Sequence, residues 1–202
     1  MNAERISYKQ NIEGFLQEIE GKILERIGFD IDFFQEFDAS EVPFAFTYAN
    51  SIVMQTEVGC YLLHTSMTSS GADTFWIQKK CNHSNKPGAE KQYHEKVLSA
   101  TAENNQEGWC FKIHLKTTNS NLVLYAAEIY RNATGSLDYK MNDEMILIFE
   151  NLEAAKEFER LTIDSSLKSG PKRKWTSIIT YRLSCFTKKL LKRTLMLLKR
   201  RS

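Results

Sequence analysis

Two histidines offer the residue type best suited to acid–base work. His64 lies in Leu63-His64-Thr65-Ser66-Met67, with hydroxyl side chains one and two residues further on. His114 lies in Ile113-His114-Leu115-Lys116. An imidazole gives and takes protons near neutral pH, so a facing pair would serve as acid and base at one bond. Cys81, His83 and His94 are further ligand-type side chains. The single-residue gap in Cys81-Asn82-His83 is not a usual zinc spacing and a fourth ligand is missing, so no metal or other cofactor is expected. The pairs Asp30/Asp32 and Asp143/Glu144 fall in surface-like segments and are given no acid–base role. The chain contains no Gly-rich nucleotide loop, no His-Glu-x-x-His and no Gly-x-Ser-x-Gly.

A histidine two residues before a hydroxyl residue on an apolar strand, as in Leu63-His64-Thr65-Ser66-Met67, resembles half of the signature of the two-histidine phosphoesterases. The resemblance implies a second such motif, one per lobe, so that paired imidazoles meet at a phosphodiester. The best second candidate is the segment around His114, where Lys116 stands in place of Ser or Thr and Thr117 comes one position late. A phosphodiesterase using His64 and His114 is therefore an alternative reading. Otherwise both are strand histidines, one of them facing solvent beside Lys112 and Lys116.

The elements that would position these residues follow from hydrophobic spacing. Ile12, Phe15, Leu16, Ile19, Ile23 and Ile27 recur every three or four residues, which predicts an amphipathic helix. Ser7 and Gln10 would open it as a capping box, and Gly28 would stop it. An acidic, Phe-rich connector follows, Phe29 to Pro43. Strand-like alternation then runs through Phe44 to Tyr48, Ile52 to Val58, Tyr61 to Met67 and Thr74 to Gln78. Lys79 to Gly88 reads as a loop. Ala89 to Ala102, with Tyr93, Val97 and Ala100, reads as a short surface helix. In the next strand Trp109, Phe111, Ile113 and Leu115 point one way while Lys112, His114 and Lys116 point the other. Leu122–Tyr130 and the apolar run Met145–Phe149 are further strands. Asn151 caps a closing helix carrying Leu152, Ala155, Phe158 and Leu161, with Glu153, Glu157 and Glu159 outward.

The expected fold is α+β: an N-terminal helix, a mainly antiparallel sheet of about six to seven strands with a helix insertion, a closing helix, then a basic amphipathic C-terminal helix. A pleckstrin-like, helix-capped arrangement would fit this order by analogy of fold alone.

Charge divides the chain more sharply than any motif. Residues 165–202 hold twelve of the 27 Lys and Arg and none of the 25 Asp and Glu. Residues 1–164 therefore carry 15 basic against 25 acidic side chains, a formal −10 beneath an overall +2. The expected organisation is an acidic globular domain at 1–164, a basic linker at 165–174 and a helical tail at 175–202. In the tail Ile179, Leu183, Phe186, Leu190 and Leu197 share a face, opposite Arg182, Lys188, Lys189, Lys192, Lys199 and Arg200. Cations beside an apolar stripe suit an anionic membrane surface, contacted through Lys172, Arg173, Lys174, Trp175, Lys188, Lys189, Lys192 and Arg193. Cys185 is placed for acylation. Nucleic acid would use the same cations, although the tail is rich in Leu and poor in base-reading side chains. A third alternative packs the apolar face on the acidic body.

Four cysteines at unrelated spacings and a polar N-terminus point to a reducing compartment without a secretory signal. No apolar stretch of about eighteen residues occurs. The lack of a specific catalytic motif weighs against an enzyme, and the charge split and these features set the rest of the reading. They predict a cytoplasmic, peripherally membrane-associated binding or adaptor protein whose acidic body meets a protein partner.

Overall fold

The computed structural model describes residues 3–30, 41–80 and 89–168. They form helix α1 (Ala3–Ile19), strands β1 (Ile23–Asp30), β2 (Thr47–Ala49), β3 (Ser51–Thr56), β4 (Gly59–Met67), β5 (Asp73–Lys80), β6 (Ala89–Asn104), β7 (Cys110–Thr117), β8 (Asn121–Arg131) and β9 (Leu137–Phe149), and helix α2 (Leu152–Lys168). This is an α+β fold: an N-terminal helix, a nine-stranded antiparallel sheet and a closing helix. Phe33, Phe34, Phe37, Cys81, His83 and the tail from residue 169 lie outside the described residues.

Strand order is β2-β9-β8-β7-β6-β1-β3-β4-β5. It closes on itself. β2 and β3 are separated only by Asn50, whose N–H donates to the Asp30 carbonyl at 2.9 Å. Yet β2 pairs with β9, Thr47 opposite Ile148, while β3 pairs with β1. The interrupted β2–β3 strand thus joins the two ends of a hydrogen-bonded circuit through β9, β8, β7, β6 and β1. The β4–β5 hairpin extends from β3 and folds back, so that the Thr65 hydroxyl donates to the Glu144 carbonyl and the Asn142 amide to the Asp73 carbonyl at 3.0 Å.

Alternation within each strand divides the apolar residues between two cores. The larger lies inside the circuit. Leu24, Ile52, Met54, Leu63, Phe75, Ile113, Leu122 and Ile146 fill it, with Ile12, Phe15, Leu16 and Ile19 from α1. The smaller lies outside β8 and β9, under α2, where Val123, Tyr125, Leu147 and Phe149 pack with Phe44 and Phe158. β8 and the end of β9 are therefore buried on both faces, which accounts for their unbroken apolar runs.

Several expectations need correction. The sheet has nine strands rather than six to seven, because Ile23–Asp30 and Ala89–Asn104, both expected as helical, are strands. α1 stops at Ile19 and does not run to Ile27. Gly21 takes a φ of 79° and turns the chain, and Lys22 N–H reaches back to the Ile19 carbonyl. Ser7 accordingly lies inside the helix and is not its cap. Ile23 and Ile27 belong to β1. Its register shifts between Leu24 and Arg26, so Leu24 and Ile27 both face inward at a three-residue spacing. The expected helix at 89–102 is strand β6. A second register shift, between Val97 and Ser99, puts Tyr93, Val97 and Ala100 against one core at spacings of four and three, the spacings of a helix face. In β7 the shift opposite Glu103 and Asn104 turns Phe111 away from Ile113 and Leu115 to the outer core. Glu159 is not outward: it accepts from Tyr125 Oη at 2.8 Å and from Lys112 Nζ at 2.9 Å.

The Asn151 cap forms as expected, its side-chain oxygen accepting from Glu153 N–H at 2.8 Å.

Candidate functional site

The first two turns of α1 lie beside the outward face of the β4–β5 hairpin, and an open cleft of about 410 Å³ separates them. Cross-strand pairing builds its floor. His64 lies opposite Trp76 and Ser66 opposite Thr74, while their neighbours Leu63, Phe75 and Ile77 point into the larger core. Glu4, Ser7 and Tyr8 form the wall, and Gln78 completes the floor.

Directional contacts hold the wall in place. β5 ends the sheet, and α1 covers that edge with a side chain in place of a strand. Asn11 Nδ2 donates to the Ile77 carbonyl at 2.8 Å, and Ile77 N–H donates back to Asn11 Oδ1 at 2.9 Å. Tyr8 Oη donates to Ser66 Oγ at 2.9 Å. Its ring meets Trp76 edge-on at 5.1 Å and Trp109 at 5.8 Å. Glu4 accepts from the backbone and hydroxyl of Ser69. The Arg5 guanidinium lies 5.3 Å from the Trp109 ring. Gly108 lets it approach: a Cβ there would stand 3.1 Å from Arg5 Cδ.

His64 Nδ1 lies 2.9 Å from the Thr65 carbonyl oxygen. A carbonyl only accepts, so the proton is on Nδ1, and Nε2 is the nitrogen left to the cleft.

His114 is placed elsewhere. It pairs with Thr101 and Val123 on the outer face of β7, and its Nε2 lies 3.3 Å from Asn121 Oδ1. Strands β6, β1 and β3 separate β7 from β4, and His114 does not line the cleft. The two imidazoles therefore have no common cleft, and the sequence resemblance gains no paired-histidine geometry. His94 is exposed at a bulge of β6 with a φ of 54°. Among the described residues, no group of three or more His, Cys, Asp or Glu is arranged to hold a metal. Asp143 is not a surface residue; it is buried and paired with Lys140.

A half-buried ion-pair cluster ties α2 to the sheet. Lys112, largely buried, lies 2.7 Å from Glu103 and 2.9 Å from Glu159. Burial pushes its ammonium toward deprotonation, and the two carboxylates outweigh that and hold its pKa above the ordinary value. Burial, reinforced by Glu159, likewise raises the Tyr125 phenol. Burial pushes the Cys110 thiol up to about 12, so it is an inert core group and not a nucleophile.

The tail residues Lys172, Arg173, Lys174, Trp175, Lys188, Lys189, Lys192 and Arg193 lie outside the described residues, as does Cys185. No helix among the described residues is long and apolar enough to cross a membrane.

Sequence reasoning missed Tyr8, Trp76 and Gln78. One signal for two of them was available: Trp76 and Gln78 occupy the polar phase of a strand whose inward phase is Phe75 and Ile77. A tryptophan in that phase has no core to fill.

No family model, no curated protein and no solved structure matches the chain. The fold and site define it as an α+β body with a closed sheet circuit and a lateral cleft.

Proposed function

We propose that the chain is a non-enzymatic adaptor, its body held at an anionic membrane surface by a basic amphipathic helix within residues 175–202. One observation carries this reading: twelve Lys and Arg with no Asp or Glu in residues 165–202, interleaved with Leu, Ile and Phe at helical spacing. Each cation near an anionic surface contributes about 1 kcal/mol. Burying the apolar face in the headgroup boundary adds to that. The contacts assigned to the surface are Lys172, Arg173, Lys174, Trp175, Lys188, Lys189, Lys192 and Arg193. Lys172, Arg173 and Lys174 fall in the basic segment that follows α2, and the acidic charge of the body suits a basic protein partner. The protein would then be cytoplasmic and peripherally bound.

Liposome co-sedimentation tests the proposal, using anionic and neutral vesicles at two salt concentrations. Three proteins are compared: the full chain, residues 1–170, and the full chain with Lys188, Lys189, Lys192 and Arg193 replaced by Glu. Sedimentation of the wild-type full chain alone, and only with anionic vesicles, is the expected result. No sedimentation of any of them would overturn it. Retention on DNA or RNA with a steep salt dependence, in the absence of vesicle binding, would replace it with the nucleic-acid alternative.

A further inference from the structure

We infer that the cleft between α1 and the β4–β5 hairpin binds an uncharged sugar. The inference is independent of the membrane reading, because it rests on the body alone. At about 410 Å³ the cleft has the size of a small-molecule site. Its shape is open and its floor carries one half-buried indole, Trp76, beside a row of uncharged polar groups. That is the chemistry of a ring with an apolar C–H face and a polar rim: the indole takes the face and the side chains take the hydroxyls.

The hydrogen-bonding inventory fits. Ser66 Oγ accepts from Tyr8 and keeps its own proton to donate. His64 Nδ1 is engaged by Thr65, which leaves Nε2 as an acceptor. Gln78 offers both an amide donor and a carbonyl acceptor, and Ser7 a hydroxyl. A mixture of donors and acceptors with no net cation suits hydroxyl groups, each of which does both.

Charged ligands fit less well. None of the described lining residues is Lys or Arg, and the carboxylate of Glu4 would repel a phosphate. An organic cation would want a carboxylate beside the indole face, and the Glu4 carboxylate is already taken up by the backbone N–H and hydroxyl of Ser69.

The test is an NMR titration of the full chain with D-glucose, D-galactose, D-mannose and N-acetyl-D-glucosamine. Glucose 6-phosphate and choline serve as charged controls. Concentrations run to about 10 mM, enough to approach saturation of a site with a millimolar Kd. At least one neutral sugar should shift the Trp76 indole and His64 ring signals saturably. Trp76→Ala should weaken that binding by about tenfold or more. Because Trp76 also touches Tyr8, two exposed positions guard against misfolding. Gln78→Ala should weaken binding several-fold, and Ser7→Tyr, which fills the cleft, should abolish it, both with unchanged thermal melting. The inference is overturned if no neutral sugar saturates, if only a charged control binds, or if Ser7→Tyr and Gln78→Ala bind as the wild type does.

Discussion

The two helices close the body in opposite ways. α2 is seated by shape. Phe158 is fully buried, and its ring meets Phe44, Tyr125, Tyr139 and Phe149 at centroid distances of 5.1 to 6.3 Å. α1 is seated by aliphatic and aromatic core packing in its second half, through Ile12, Phe15, Leu16 and Ile19. Its first half adds directional bonds, two between Asn11 and Ile77, two from Ser69 to Glu4 and one from Tyr8 to Ser66, beside the edge-on contacts of the Tyr8 ring. Large aromatic rings fill the space under α2, whereas α1 lies close against β5 and β6 and the cleft opens beside its first turns.

The largest test of this contrast is Phe158→Ala. It should cost about 3–5 kcal/mol, as truncation of a buried aromatic usually does, read as a fall in the urea midpoint. Asn11→Ala strips the Ile77 N–H and carbonyl of their partners at the sheet edge, and about 1–3 kcal/mol is expected in the same assay. Should Asn11→Ala prove the more costly of the two, the ordering of packing over pinning is wrong. Asn151→Ala removes the α2 cap and should cost about 1 kcal/mol, since the aromatic seat remains. The smallest effect concerns Glu150, just before α2, which accepts from Lys91 and Tyr93. Burial pushes the Glu150 carboxyl up, but hydrogen bonds from Lys91 and Tyr93 outweigh this and hold it below the ordinary carboxylate range. A depressed carboxylate contributes stability above its unfolded pKa and loses it as pH falls through the folded one. Glu150→Gln should therefore flatten the decline in stability below the ordinary carboxylate range. Partial exposure keeps the difference to a few tenths of a kcal/mol, visible in melts taken across acid pH.

Legibility in the sequence follows strand regularity. β3, β4 and the apolar runs of β8 and β9 could be read from composition, because their alternation is unbroken or their burial is on both faces. β1 and β6 misled for one shared reason. Each strand of this pair carries a bulge, and an extra residue in a two-residue period gives spacings of three and four, the numbers of a helix. Strand Ile23–Asp30 was absorbed into α1, and Ala89–Ala102 became a surface helix. The candidate site was harder still. His64 was visible as chemistry, but Tyr8 and Asn11 reach it from a helix more than fifty residues earlier, and nothing local announces that contact. The acidic and basic halves were plain from counting alone.

The break at Asn50 sets an order of events in folding. The circuit is completed when Thr47–Ala49 meets Ile146–Ile148, residues about a hundred positions apart. Contacts of that span are slow to form, because a long loop must be closed before any bond rewards it. On a ribosome β2, whose ladder is to β9, must wait for its partner until β9 has been made. By then every other strand of the circuit has its neighbours. The last ladder to form is thus the one that turns an open sheet into a closed one, and the basic segment is synthesised only after the residues of that ladder are complete.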